Sequence, residues 1–215
     1  MMLCRSGELS ETTRLLVDRA RELDIPVLVE SEREMRRMSA GEEARELIAL
    51  AGPPPRATLD ELMSRKGLVC VLVGLRYPGN VGFILRSAEV AGAAGVVLVN
   101  DWEGSQLSEA LRVGMRADRF FPVIESEAAA AIAAARRAGR RVIALEMAGT
   151  KPPWKADLGS PAAVVVGSET TGISDAILES VDEIIRIPTR GFIPSYNVQA
   201  AVGMLLGEWL RQNLE

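Results

Sequence analysis

The feature that most constrains this chain is a set of short, nearly unbroken apolar runs separated by helix-forming stretches. Residues 68–74 read Leu68, Val69, Cys70, Val71, Leu72, Val73 and Gly74; residues 96–99 and 162–166 are equally apolar, and 142–146 is apolar up to Glu146. A strand that is apolar at every position must be covered on both faces, as happens in parallel sheets held between helices. The intervening stretches have helical character. Val81, Ile84, Leu85 and Ala88 recur at three- and four-residue spacing, and residues 127–138 are alanine-rich. This alternation predicts an α/β fold: an open, mostly parallel sheet with helices on both faces.

A chain of 215 residues, 48% hydrophobic and 25% charged, is long enough for one medium domain and a small appendage. Gly52, Pro53, Pro54 and Pro55 break regular structure and mark a linker. Residues 1–56 then form a small N-terminal α/β segment, and 57–215 the main domain. In the first segment we expect a helix over 11–23, a strand over 25–29, a short helix to Met38 started by Ser31 and Glu34, and a strand over 46–51. Arg33, Arg36 and Arg37 form either a solvated face or an RNA-contact patch. Thr58 and Glu61 read as a second capping box, for a helix over 59–65.

No apolar run approaches the roughly 18 residues that span a bilayer, so no membrane partner is expected and the cytoplasm is the expected location. Two cysteines, Cys4 and Cys70, suit a reducing compartment. The sequence has no histidine and no metal-ligand spacing, so Ser-His and Cys-His nucleophiles and a histidine-bound metal are excluded. The net charge of -4 predicts no general attraction to phosphate, and any RNA contact must come from local basic patches.

The candidate ligand site lies in the last third, where two apolar strands each run into a polar, glycine-bearing turn. One turn offers Gly167, Ser168, Glu169 and Gly172; the other offers Pro188, Thr189, Gly191, Ser195 and Asn197. In α/β sheets, turns at strand C-termini are where ligands bind. Ser195 is the expected N-cap of a helix built on Val198, Val202, Leu205, Leu206 and Trp209, and Asn80 the expected N-cap of an earlier one. Gly79, Gly82 and Arg86 share one helical stripe: either the glycines permit close packing beside an exposed arginine, or they leave bare backbone before a guanidinium. Gly203 and Gly207 suggest close helix packing. Arg136, Arg137, Arg140 and Arg141 gather at a helix C-terminus, where cations favour the dipole. Neither a dinucleotide fingerprint nor a phosphate-binding loop of the Gly-Lys-Ser/Thr kind is present.

Asn80, Val81, Gly82 and Arg86, then Val166, Gly167, Ser168, Glu169 and Gly172, then Ile187 to Gly191 through Ser195, Tyr196 and Asn197, resemble the three ordered motifs of SpoU/TrmH-type RNA 2'-O-ribose methyltransferases of the SPOUT class. The resemblance covers the chain from about Leu68 onward. It implies a C-terminal deep trefoil knot, S-adenosylmethionine as cofactor, a homodimer, and a ribosomal or transfer RNA substrate. By similarity, Leu145, Glu146, Gly167, Ser168, Glu169, Gly172, Ile187, Pro188, Gly191, Ser195, Tyr196 and Asn197 hold the cofactor. Arg86 matches the catalytic arginine, with Asn80, Glu169, Ser195 and Asn197 around it. Because arginine stays charged, we expect Arg86 to position a phosphate and not to act as a base. The chain departs from the family pattern at Thr170 and Thr171, at Tyr196 and at Gln199. Residues 1–56 resemble the end of the small RNA-binding domain that many relatives carry. A non-catalytic RNA- or adenosylmethionine-binding module on the same fold is the alternative.

Overall fold

The computed structural model describes residues 1–39, 43–50, 55–102, 105–159, 161–168 and 170–214. The chain divides into two units, Met1–Pro54 and Pro55–Glu215. The expected linker lies largely outside the described residues.

In the first unit, β1 (Met2–Arg5) is the central strand, with β2 (Val27–Glu30) parallel on one side and β3 (Leu47–Ala49) antiparallel on the other. The sequence reading did not anticipate β1, a four-residue strand with no periodicity of its own. Helix α1 (Glu11–Glu22) starts at Ser10, whose hydroxyl accepts from Thr13 N, and α2 (Glu32–Met38) at Ser31, which accepts from Glu34 N. Glu46 ties this unit together. Its carboxylate accepts from Ser10 Oγ at 2.7 Å and Thr13 Oγ1 at 2.6 Å, and pairs with Arg5 at 3.4 Å. These hydrogen bonds, led by that from Ser10, pull its carboxyl down to about 2. On α2, Arg36 pairs with Glu32 at 2.7 Å and Arg37 with Glu34 at 3.6 Å, so two of the three arginines lie in neutralised, exposed pairs.

The second unit contains six parallel strands: β4 (Val69–Val73), β5 (Gly95–Val99), β6 (Val123–Glu125), β7 (Arg141–Leu145), β8 (Ala162–Val166) and β9 (Glu183–Ile185). Their order is β6-β5-β4-β8-β7-β9, every pairing parallel. Alternate residues of each run face opposite cores, as a period of two requires. Leu68, Cys70, Leu72, Val164 and Val166 pack with α4 (Pro78–Val90), α5 (Gln106–Val113) and α8 (Val198–Asn213). Val69, Val71, Val97, Ala144 and Val165 pack with α3 (Leu59–Ser64) and α6 (Ala128–Arg137). Burial pushes the Cys70 thiol up to about 12, so it remains a small protonated core group. No helix among the described residues is long and apolar enough to cross a membrane.

The capping box at Thr58 is formed as expected. Three local expectations are corrected. Helix α4 begins at Pro78, with Tyr77 as N-cap, so Asn80 sits inside the first turn and is buried. Proline at the first helical position is pre-set for the helix and has no N–H to leave unpaired. The N-cap of α8 is Asn197, not Ser195. The run from Phe120 to Ile124 reads in the sequence as a third strand, but that strand starts at Val123, since Pro122 lacks a donor for the ladder and Phe121 instead turns into the core.

Candidate functional site

Register brings three strand ends level: Leu145 of β7 pairs with Val166 of β8 and with Ile185 of β9. The turns leaving this shelf build the site. After β8 the chain doubles back at once, with Gly172 N donating to Ser168 O at 2.9 Å. The Ser168 hydroxyl accepts from Thr170 N at 3.2 Å and from Thr171 N at 3.4 Å, and it is within 3.0 Å of Thr170 Oγ1, so of the two threonines that depart from the family pattern Thr170 uses its side chain in the turn and Thr171 its backbone. Gly172 has φ +65, and a Cβ on Gly167 would stand 2.6 Å from the Gly172 backbone carbon. Only glycine satisfies both demands without strain.

Glu146, just past β7, fastens this turn to its own: its carboxylate accepts from Met147 N at 2.7 Å and Ile173 N at 3.2 Å. Past β9 the chain runs from Arg186 and Ile187 around a loop to Asn197. The Asn197 Oδ1 accepts from Gln199 N at 2.9 Å and so starts α8, while its Nδ2 donates to Asn80 Oδ1 at 3.2 Å. One side chain therefore links the third motif to the first. Tyr196 closes the loop on itself, its hydroxyl donating to Pro188 O at 3.5 Å.

Together these turns enclose a cavity of about 400 Å³. Leu145, Glu146, Gly167, Ser168, Gly172, Ile187, Ser195, Tyr196 and Asn197 all line it. Pro188 and Gly191 are in the loop but not in the wall, and Asn80 reaches the site through Asn197. Arg86 is exposed on α4, outside the wall. Glu169 lies outside the described residues. Val166 and Val198, named in the sequence for the second motif and for the core of the last helix, also line the cavity, as do Met147, Arg186 and Ala201, which the sequence reading did not single out. Their signal was position: each is one to four residues from a residue that was named. The Gly79 and Gly82 stripe has its packing explanation, because a Cβ on Gly82 would lie 2.6 Å from Ala110 O on α5.

An all-parallel α/β sheet, with strands added first to one side of β4 and then to the other, and a cavity beyond the C-termini of β7 and β8, belongs to the class of open α/β folds that bind ligands outside the strand C-termini. The particular family follows from comparison with known proteins. The model of the SpoU rRNA Methylase family matches residues 67–207, and the chain belongs to that family. A 23S rRNA adenosine 2'-O-methyltransferase of Streptomyces azureus is 30% identical over 93% of this chain and 75% of its own length. A 23S rRNA guanosine 2'-O-methyltransferase of Haemophilus influenzae is 32% identical over 73% of this chain, which spans 65% of that relative's length. The solved structure of an AdoMet-bound rRNA methyltransferase from Sinorhizobium meliloti shares the fold, with a TM-score of 0.68 at 23% identity, covering 100% of this chain and 80% of that one.

Proposed function

We propose that this chain transfers a methyl group from S-adenosylmethionine to the ribose 2'-hydroxyl of a nucleotide in ribosomal or transfer RNA, and that it works as a homodimer. The observation that carries the reading is the meeting of the second and third sequence motifs at one cavity, with the first tied to it by the Asn197 to Asn80 hydrogen bond. The cavity fits the cofactor: its volume lies in the range of about 300–1,000 Å³ usual for such sites. Its wall also mixes apolar Leu145, Val166 and Ile187 with the polar turns.

When bound, the cofactor supplies an electrophilic methyl group on a sulfonium. What remains for the protein is alignment, the largest contribution available to a displacement of this kind. Leu145 and Glu146 would border the adenine, the Gly167 to Gly172 turn and Ile187 would hold the remainder, and Ser195 and Asn197 would orient the 2'-hydroxyl toward the methyl group, with the hydroxyl proton passing to water. The exposed guanidinium of Arg86 holds the phosphate beside the target ribose.

The test is transfer of labelled methyl from S-adenosylmethionine into unmodified ribosomal and transfer RNA, followed by nuclease digestion. The expected result is label in a 2'-O-methyl nucleoside, abolished in Arg86→Ala. Near-normal turnover by Arg86→Lys would count against bidentate phosphate positioning. Cofactor binding without label in either RNA would defeat the enzyme reading.

A further inference from the structure

With a net charge of -4, the chain as a whole does not attract a polyanion. The densest arginine cluster is engaged internally. Arg136 donates to Ser180 O, Arg137 pairs with Asp60, and Arg141 with Glu183, while Arg140 is buried among backbone carbonyls. The segment 186–199 differs: it carries two arginines and no carboxylate. Arg186 lines the cavity, and Arg190 is exposed on the loop above it.

The same loop presents apolar side chains to solvent. Phe192 is 103% exposed and Ile193 73%. Pro188 and Pro194 fix φ on either side of them, which limits how far the loop can fold back to bury the ring. A fully exposed phenylalanine, flanked by arginine and continuous with cavity residues Ser195 and Tyr196, has the composition of a stacking platform for single-stranded nucleic acid. Such platforms combine an aromatic face for a base with cations for its backbone.

We propose that Phe192 stacks on an unpaired nucleobase next to the methylated ribose, with Arg190 holding an adjacent phosphate. This assignment rests on the RNA reading of the site. Two arginines with no carboxylate give the segment a charge complementary to a phosphate backbone, and the exposed ring beside them offers a face to a base.

The test uses the full chain, with unmodified 23S rRNA and unmodified tRNA transcripts as probes, and the variants Phe192→Ala, Phe192→Leu and Phe192→Trp. Removing a base–aromatic stack weakens binding by roughly 5- to 150-fold. Phe192→Ala is expected to raise the RNA Kd and KM by about fivefold or more, with a smaller change in kcat. Phe192→Trp restores both and Phe192→Leu does not. S-adenosylmethionine affinity measured without RNA, and the sedimentation coefficient, stay as in the wild type.

Recovery by leucine would overturn the assignment in favour of plain apolar burial. Loss of cofactor affinity would make the loop a cofactor cover, and altered sedimentation would make it a contact between copies; either result overturns it as well. Phe192-dependent RNA binding by a wild type that transfers no methyl would uphold stacking while defeating the proposed reaction. Failure of the wild type to bind either RNA would overturn the stacking assignment.

Discussion

Asn197 carries two jobs on one carboxamide, and a pair of substitutions separates them. Its oxygen caps α8 and its nitrogen reaches Asn80 on α4. Asn197→Ala removes both, and the cap alone is worth about 1 kcal/mol. Asn197→Asp keeps the cap and replaces the donor. Thermal unfolding is expected to show a clear loss for alanine and a small one for aspartate, while cofactor affinity by calorimetry falls in both. Equal affinity in wild type and Asn197→Asp would show that the link to Asn80 does not shape the cavity. The sequence marked both asparagines yet assigned Asn80 the wrong job, because a polar residue before an apolar period is a cap only when nothing across the fold competes for it. Here Asn197, 117 residues away, does. Glu146 was legible only through the family resemblance, since nothing local shows that its carboxylate will reach Ile173 N.

At the level of elements, the central strands were plain in the sequence because a doubly covered strand leaves no polar position to hide the pattern. The short β1 was not: it takes its place from its neighbours, held between β2 and β3. The arginine cluster at the end of α6 was visible as charge, whereas the burial of one member was not. Arg140 is 4% exposed and donates to Met63 O at 2.6 Å, Gly67 O at 2.7 Å and Ala162 O at 3.1 Å, and also to Arg65 O. It thereby fastens the segment after α3 to the start of β8. A lysine cannot present this planar fork, and each buried carbonyl left unmet costs about 1–3 kcal/mol. Arg140→Lys is therefore expected to destabilise the second unit by about 3 kcal/mol or more, read as the shift of the urea midpoint followed by tryptophan fluorescence.

Glu46 sets a pH limit on the first unit. Its carboxyl titrates at about 2 in the fold against an ordinary 4.5, so its contribution is complete above about 4.5 and is lost as the pH falls towards 2. Amide-exchange protection of residues 1–39, corrected for intrinsic rates, is expected to drop across that window in the wild type. In Glu46→Gln it should already be low at pH 6. Unchanged protection from pH 6 to pH 3 would show that Glu46 does not hold this unit.

At the scale of the whole molecule, α8 is apolar on more faces than its own core uses. Val202, Leu205, Leu206 and Trp209 are buried, yet the opposite side shows Gly203, Gly207 and a 44% exposed Met204. A Cβ on either glycine would meet nothing within 4 Å. The close packing that these glycines suggest is therefore not made among the described residues. On α4, Phe83 is 45% and Val90 76% exposed. A helix apolar all round is normally covered all round, and a two-fold pairing of identical α8 faces would cover it, with small residues allowing the backbones to approach. The wild type is then expected to sediment at twice the 23.2 kDa of one chain, and Met204→Arg at that single mass. Because Met204 has no buried environment within its own chain, the new charge costs the isolated fold little. Far-ultraviolet circular dichroism of Met204→Arg should match the wild type even as the mass halves. A wild type that sediments at 23.2 kDa at tens of micromolar would rule the dimer out, and the glycines on α8 would then need another explanation.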